Sequence, residues 1–256
     1  LKPKATDRKM AGAGVFNYVP RNTSTRNRFD LVDFAYLTLL DMQVFDDRLR
    51  NYPHTAPLGP RTIPGPYIVI PVGSTNAPSR LRSGLLLSLA EWALDRGMRP
   101  VLVGKSQSSV QAIGMKGKES KIIVTDEVDY LPGSVRLECL DLRDKTTLME
   151  ARDLCGHANA VVGIDGGMLH LAGTTDVPIV YGCTRVDPKH RGIVRYDERN
   201  WNLIHVRPRD LECSGCQSNW TLMFKHDFST CAYGDSLCTE KLHADDFING
   251  LRHLGL

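Results

Sequence analysis

A short loop in the second half of the chain carries the residues best suited to bind a phosphate. It reads GIDGGMLH from Gly163, so an acid, two glycines and a histidine follow an apolar run. Glycines let a phosphate approach the backbone, and the amides at a helix start donate to it. His170 is placed to donate to the same phosphate, and Asp165 to orient the loop or accept from a sugar hydroxyl. Asp165, Gly166, Gly167 and His170 therefore indicate a phosphate site; the alternative is an ordinary strand-to-helix turn with a core histidine.

Two further loops follow apolar runs and carry candidate donors. The first has small hydroxyl residues ahead of arginines, residue types that suit a pyrophosphate clamp. The second, GKSQ from Gly104, occupies a position that often meets the ribose in doubly wound folds. Solvated surface side chains are the alternative for both loops. The candidates are Ser74, Thr75, Arg80, Arg82 and Lys105.

Four of the seven cysteines cluster near the end of the chain, at Cys213, Cys216, Cys231 and Cys238. The first pair has the C-x2-C spacing of a zinc knuckle, but the C-x6-C of the second pair is looser than in a typical finger. A structural zinc there would attach the tail to the domain without taking part in catalysis. Reduced cysteines that pack in the interior are the slightly favoured alternative, and disulfides are disfavoured because no secretory signal is visible.

Alternating strand-like and helix-like segments must position these loops. This alternation predicts an α/β fold, a doubly wound parallel sheet (Rossmann-like) that binds ligands at the carboxyl ends of its strands. The predicted strands are residues 67–72, 100–104, 121–125, 160–164 and 178–181, with 135–140 and 203–206 as further candidate strands. The predicted helices are residues 85–96, 109–113, 147–157, 168–173 and 244–254.

The first part of the chain differs in character from the rest. Residues 1–62 are expected to form a basic arm, a helix and a linker, and residues 63–256 the Rossmann-like domain with its Cys-rich tail. The arm suits phosphates or an anionic membrane surface, although a solvated terminus is favoured about two to one. A formal net charge of +3 does not by itself indicate a nucleic-acid binder. Because there is neither a long apolar run nor a visible signal peptide, we expect a cytoplasmic protein, with peripheral attachment to a membrane as an option.

Residues 165–172, DGGMLHLA, followed by Val177-Pro178, resemble glycosyltransferase family 9, which contains the bacterial ADP-heptose:lipopolysaccharide heptosyltransferases. The family pattern is D-[TS]-G-x-x-H-L-A, then V-P, then G-x-T-x-P, and Gly182-Cys183-Thr184 with Pro188 is similar to the last segment. Residues 144–148, DKTTL, are similar to the family's G-K-T-S-L, and family members often carry a comparable cysteine-rich tail. The resemblance covers roughly residues 60–256.

This resemblance implies the C-terminal half of a GT-B glycosyltransferase, inverting and without a catalytic cofactor. It would transfer a sugar from a nucleoside-diphosphate donor to an unknown acceptor, glycan or lipid-linked. The basic arm suggests a nucleic-acid acceptor as an alternative. Asp165, Gly166, Gly167 and His170 would hold the donor diphosphate, with Arg80 in place of a family lysine. The family's catalytic carboxylate lies in the N-terminal half, so no catalytic residue is assigned. A non-catalytic nucleotide-sugar-binding module of a larger assembly is the alternative.

Two positions depart from the family pattern, and both lie among the expected donor contacts. Gly166 replaces the Thr or Ser of the pattern, which removes one hydroxyl contact. Gly104-Lys105 occupies the place of the family's acidic residue near the ribose. The nucleotide of the donor is therefore left open.

Overall fold

The computed structural model describes the part of the chain that forms the central sheet and its flanking helices. The described residues are 57–73, 80–106, 110–113, 119–122, 127–186, 188, 202–211, 213, 215–216 and 237–256. The basic arm and the helix expected within residues 1–62 lie outside them, as do Ser74, Thr75 and Cys231.

Six strands form one sheet in which every neighbouring pair is parallel, in the order β5-β2-β1-β6-β7-β8. A separate antiparallel hairpin pairs β3 with β4. The sheet strands are β1 (Tyr67–Val72), β2 (Arg99–Gly104), β5 (Leu140–Asp141), β6 (Ala160–Ile164), β7 (Ile179–Gly182) and β8 (Leu203–Val206). The hairpin strands are β3 (Val110–Ile113) and β4 (Glu119–Ile122).

The position of β1 inside the sheet explains why its sequence is continuously apolar. It pairs with β2 on one side and β6 on the other, so Ile68 lies between Pro100 and Ala160. Its side chains alternate between two cores, with Ile68 and Ile70 in one and Tyr67 and Val69 in the other. A strand covered on both faces has no polar face, and this is typical of parallel sheets.

Helices cover both faces of the sheet and complete a three-layer α/β/α arrangement. Apolar residues of α1 and α6 fill the core on one face, and those of α3 and α4 fill the core on the other. None of the helices in the described ranges is long and apolar enough to cross a membrane. The helices are α1 (Ser83–Leu94), α2 (Gly133–Glu138), α3 (Leu148–Gly156), α4 (Gly167–Ala172), α5 (Leu237–Glu240) and α6 (Ala244–His253), with a 3-10 turn at Glu127–Tyr130.

The predicted fold class is confirmed, but three of the predicted elements between β2 and α3 are wrong. Residues 109–113 are not a helix, because Val110–Ile113 is strand β3. Residues 121–125 are not a strand of the parallel sheet, because β4 ends at Ile122 and pairs with β3 alone. Residues 135–140 are mostly helix α2 rather than a strand. Segments of four to six residues are too short for hydrophobic periodicity to distinguish a helix from a strand. Their secondary structure therefore depends on their tertiary contacts.

Residues 57–59, which the sequence assigns to a linker, contact α3 and the residue that follows it. The Pro57 carbonyl accepts from Arg152 Nη1 at 3.4 Å, and the Gly59 carbonyl lies 2.7 Å from His157 Nε2. A Cβ on Gly156 would come within 2.5 Å of Leu58 Cδ2, so this glycine makes room for the leucine. The domain therefore uses contacts from residue 57 onward.

Candidate functional site

The sheet reverses its direction of winding between β1 and β6. From β1 the chain adds β2 and β5 on one side, and it then returns to add β6, β7 and β8 on the other. Ligands of open parallel sheets bind in the crevice outside the strand ends at such a reversal. A cleft of about 690 Å³ opens at this point, and its lining includes Gly73, Gly104, Lys105, Gly166, Gly167 and His170.

Two glycines form the cleft wall where the ends of β1 and β2 approach each other closely. Gly73 has φ +79° and Gly104 has φ +122°, values that L side chains rarely adopt. A Cβ on Gly73 would lie 1.9 Å from the carbonyl oxygen of Lys105, and a Cβ on Gly104 would lie 2.2 Å from that of Val72. The fold therefore requires glycine at both positions.

The loop from β6 to α4 has a different kind of glycine pair. Gly166 has an extended backbone with φ −173°, which any residue adopts, and a Cβ there would make only an ordinary contact with the Ile164 carbonyl at 3.5 Å. A Cβ on Gly167 would meet no atom within 4 Å among the described neighbours. Neither glycine is required by the protein's own packing, and both line the cleft. The open space beside Gly167 is where a ligand can approach the backbone.

Asp165 is buried, and its carboxylate contacts the side chain of His170. Its backbone N–H donates to the Gly182 carbonyl at 2.9 Å, which ties the loop to the end of β7. One of its carboxylate oxygens, Oδ1, lies 3.5 Å from His170 Nε2, and 6% of the Asp165 side chain is exposed against 33% for His170. The contact holds the imidazole at the cleft wall, where a ring N–H can donate to a bound oxyanion.

An acidic residue that the sequence did not single out lies beside Lys105. Asp144 follows β5, and its backbone N–H donates to the Gly104 carbonyl at 3.0 Å. One carboxylate oxygen, Oδ2, accepts from the Ser106 N–H at 2.9 Å and from the Ser106 hydroxyl, while Oδ1 lies 3.4 Å from Lys105 Nζ. The hydrogen bonds from Ser106 lower the pKa of Asp144, with a smaller effect from the charge of Lys105. The missed signal was the pairing of β5 with β2, which brings this loop to the end of β2.

The two arginines predicted after β1 do not line the cleft among the described residues. Arg82 contacts α5 instead, since its Nη2 lies 2.9 Å from Glu240 Oε1 and its Nε donates to Thr239 Oγ1 at 3.2 Å. Arg80 is half-buried and directly follows residues 74–79, which are outside the described ranges together with Ser74 and Thr75. Lys105 is therefore the cation from these loops that the structure places at the cleft.

Helix α3 begins at the cleft with a capping box formed by Thr147 and Glu150. The Thr147 hydroxyl accepts from the Glu150 N–H at 3.2 Å, and the Glu150 carboxylate accepts from the Thr147 N–H at 2.7 Å. These hydrogen bonds lower the pKa of Glu150. The cap places Leu148, 73% exposed, at the rim of the cleft. Leu81 and Met168 add further apolar surface to the cleft.

The cysteine tail is described only in part. Cys213 and Cys216 are half-buried and Cys238 is buried in α5. Within the described ranges, no three or more His, Cys, Asp or Glu side chains form a group that could hold a metal ion. The three described cysteines thus do not make a metal-ligand set with one another.

Comparison with known sequences finds similarity to one family. Residues 107–212 match the family model of glycosyltransferase family 9 (heptosyltransferase), a segment that includes β6, the 165–170 loop and β8. A curated relative is lipooligosaccharide heptosyltransferase 2 of Haemophilus influenzae (strain ATCC 51907 / DSM 11121 / KW20 / Rd), 28% identical over 151 residues. That alignment covers 58% of this chain and 39% of the relative.

Comparison with solved structures agrees on the fold. The dodecameric iron-containing heptosyltransferase TibC in complex with ADP-D-β-D-heptose aligns with a TM-score of 0.53 at 18% identity. The iron-containing dodecameric glycosyltransferase TibC from enterotoxigenic E. coli H10407 aligns with a TM-score of 0.54, also at 18% identity. Each alignment covers 77% of this chain and 46% of TibC. The chain thus spans less than half the length of these relatives.

Proposed function

Since the chain carries a region of glycosyltransferase family 9, we propose that it is the donor-binding half of a heptosyltransferase-like glycosyltransferase. Its cleft binds the diphosphate of a nucleoside-diphosphate sugar. The observation that supports this proposal best is the cleft at the winding reversal, which brings together Lys105, Gly166, Gly167 and His170. These residues follow two separate strands. Lys105 supplies a cation, the two glycines leave the backbone accessible to an anion, and His170 supplies an imidazole donor.

The donor phosphates lie against Gly166 and Gly167 in this proposal, with His170 donating from the side. A hydrogen bond to a charged group contributes about 1.5–3 kcal/mol. Negative charge grows on the departing diphosphate during sugar transfer, so donors aimed at it stabilise the transition state. Helix α4 has only six residues, so the side-chain and backbone donors, rather than a long helix dipole, carry this interaction.

The rest of the nucleotide occupies the remainder of the cleft. The apolar side chains of Leu81, Leu148 and Met168 line it and offer surface on which a flat base can pack. In this proposal the acceptor, which is a glycan or a lipid-linked molecule, approaches the sugar from the open side of the cleft. A catalytic carboxylate and the acceptor contacts come from outside the described residues.

A second candidate is a non-catalytic module that binds a nucleotide sugar within a larger assembly. The observation in its favour is that no carboxylate lines the cleft among the described residues. Assaying sugar transfer by this chain, alone and together with proteins that supply an acceptor-binding half, separates the two. Donor binding without transfer under any of these conditions supports the module.

The cysteine tail enters no catalytic step in this proposal. A metal at Cys213, Cys216, Cys231 and Cys238 finds no support in the contacts of its three described members. Elemental analysis for zinc and iron, on protein purified without added metal, is the direct measurement. A content well below one metal ion per chain, in undamaged protein, means that the tail holds thiols alone.

A thermal-shift panel of nucleoside-diphosphate sugars, beginning with ADP-heptose, tests donor binding. A ligand present at one hundred times its dissociation constant stabilises the folded chain by about 2.7 kcal/mol, which is readily measured. We expect one nucleoside series to raise the melting temperature and the matching nucleosides without phosphate to leave it nearly unchanged. If no member of the panel shifts the melting temperature, the proposal fails.

A further inference from the structure

A buried arginine connects α3 to the residue that follows the end of α4. Only 4% of the Arg152 side chain is exposed, although it carries a positive charge. Its Nε donates to Thr174 Oγ1 at 3.2 Å, and its Nη1 donates to Asp153 Oδ1 at 3.2 Å and to the Pro57 carbonyl at 3.4 Å. An apolar side chain of similar volume would fill this space at a lower desolvation cost, so packing alone does not account for an arginine here.

The partner of the Arg152 Nε, Thr174, belongs to the cleft wall. It lines the cleft together with His170 and Leu171. The Thr174 hydroxyl donates to the Leu171 carbonyl at 2.7 Å, and the Thr174 backbone N–H donates to the same carbonyl at 3.1 Å. Because a hydroxyl has one proton and two lone pairs, its oxygen can accept from Arg152 at the same time. A chain of hydrogen bonds therefore runs from the guanidinium to the last turn of α4.

Helix α4 depends on contacts at both of its ends for its orientation. It has only six residues, and a helix of this length is held by tertiary contacts rather than by its own hydrogen bonds. Its start is held by the preceding Asp165, whose N–H donates to the Gly182 carbonyl at 2.9 Å. Its end is held by the hydrogen bond between Arg152 and Thr174. His170 lies between these two points, so its position at the cleft depends on both.

We propose that Arg152 is a positioning residue of the cleft, which fixes the end of α4 through Thr174 and thereby orients the His170 imidazole towards a bound nucleoside diphosphate. Among the described residues, Arg152 is not part of the cleft lining, so it acts through Thr174 and not on the ligand. The inference rests on the proposed function, because it takes His170 as a donor to the phosphate.

The charge of Arg152 is balanced within α3, which leaves its hydrogen bond to Thr174 as the property that matters. The guanidinium pairs with Asp153, whose side chain is 24% exposed. The two charges cancel at a distance, so the pair adds little to the electrostatic attraction of a phosphate. A neutral side chain with a donor in the place of Nε should therefore serve the cleft as well as arginine does.

Glutamine and methionine at position 152 separate this donor from the rest of the guanidinium. Nε2 of glutamine is as many bonds from Cα as Nε of arginine, so Arg152→Gln keeps a donor for Thr174 and loses those that reach Asp153 and Pro57. Arg152→Met fills similar space without any donor.

Calorimetry with ADP, GDP and UDP measures the effect on the folded variants. We expect Arg152→Gln to bind the best of the three within about two-fold of the wild type. We expect Arg152→Met to bind it about five-fold more weakly, the effect of losing one hydrogen bond. A role in packing or in charge alone predicts the same affinity for the two variants, and that result overturns the proposal.

A double-mutant cycle tests whether Arg152 acts through Thr174. Thr174→Val removes the acceptor and should also weaken binding by about five-fold or more. In the Thr174→Val background, Arg152→Met should cause no further loss, because the contact between the two residues is already absent. Losses that multiply in the double variant contradict this route. Arg136→Met is the matched control, since Arg136 is exposed, pairs with Asp129 at 3.3 Å and is absent from the described cleft lining, and it should bind as the wild type does.

The imidazole resonances of His170, measured by NMR without ligand, give a second readout. They should move in Thr174→Val and in Arg152→Met, and stay in place in Arg152→Gln. This readout carries the test if Arg152→Met does not fold, and unmoved resonances in Thr174→Val then overturn the proposal. It also separates the two levels of inference, because failure of the wild-type chain to bind ADP, GDP or UDP overturns the proposed function, whereas the resonances report the positioning of His170 itself.

Discussion

His170 is the side chain on which phosphate binding depends most in this proposal. It is one-third exposed at the cleft wall, and its Nε2 contacts the buried Asp165 at 3.5 Å rather than the core. A histidine that contacts a buried acid and is exposed to a cleft is placed to bind a ligand rather than to stabilise the core. Its removal should therefore affect binding more than stability.

We predict that His170→Ala weakens binding of the best nucleoside diphosphate by about ten-fold or more, because a charge-assisted hydrogen bond is lost. Calorimetry on the folded variant measures this directly. His253→Ala is the matched control, since His253 is exposed at the end of α6 and does not line the cleft. Equal affinities in the two variants would place the phosphate elsewhere.

Gly167→Val should also abolish most nucleotide binding, and for a steric reason. A Cβ at Gly167 meets no described atom within 4 Å, so the valine is accommodated by the protein and occupies the space left for the phosphate. Gly84→Val is the matched control, because a Cβ there is equally unhindered, on the first turn of α1 and outside the cleft lining. We expect both variants to keep the wild-type melting temperature, and only Gly167→Val to lose the ligand-induced shift.

At the scale of elements, the cleft depends on how closely the ends of β1 and β2 approach. Gly73 and Gly104 each pack against the other strand's terminal backbone, so no side chain separates the two strand ends. Lys105, the residue that follows β2, lines the cleft at this point. The β5 loop is joined to it through the Asp144 N–H and the Gly104 carbonyl.

Gly73→Ala should therefore destabilise the domain, in contrast to Gly167→Val. The new Cβ would lie 1.9 Å from the Lys105 carbonyl oxygen, and φ +79° is itself unfavourable for alanine. We expect a loss of at least about 1–3 kcal/mol in the free energy of unfolding, measured by urea denaturation. An unchanged denaturation midpoint would mean that the two strand ends can separate without cost.

At the scale of the whole molecule, two N-terminal regions are expected to act differently. Residues 57–59 contact α3 and its C-terminal end through the Pro57 carbonyl, Leu58 and the Gly59 carbonyl. The basic arm lies outside the described residues, and its proposed partners are the acceptor, a membrane surface or nucleic acid. The boundary between residues 62 and 63 remains a prediction.

Deletion of residues 1–28 should leave nucleoside-diphosphate affinity unchanged and weaken binding of the acceptor or of an anionic surface. A chain that begins at residue 63 is the informative comparison, because it also loses the contacts of residues 57–59 and should melt at a lower temperature. Calorimetry and thermal melting on both truncations distinguish the two roles. Loss of nucleotide binding in the shorter deletion would make the arm part of the cleft.

Local patterns in the sequence predicted the parts of the fold whose residues lie close together in the chain. The strand Ala160–Ile164 is recognisable because it is apolar throughout, and the glycines and His170 follow it directly. The helix start at Thr147 is recognisable because a capping box spans only four residues. The fold class followed from such segments. Strands that alternate with helices form a parallel sheet, and the helices cover both faces of that sheet.

Tertiary structure decided the contacts between residues that are distant in sequence. Arg82 was expected at a phosphate, and the fold places its guanidinium 2.9 Å from Glu240, 158 residues later in the chain. Asp144 gained its place beside Lys105 only because the two-residue strand β5 pairs with β2, a pairing that no local pattern announces. Periodicity reports which face of a segment is buried, whereas the neighbour of a strand end depends on the pairing order of the whole sheet. The loop proposed to bind phosphate was therefore visible in the sequence, and the contact of Asp144 with Lys105 was visible only in the fold.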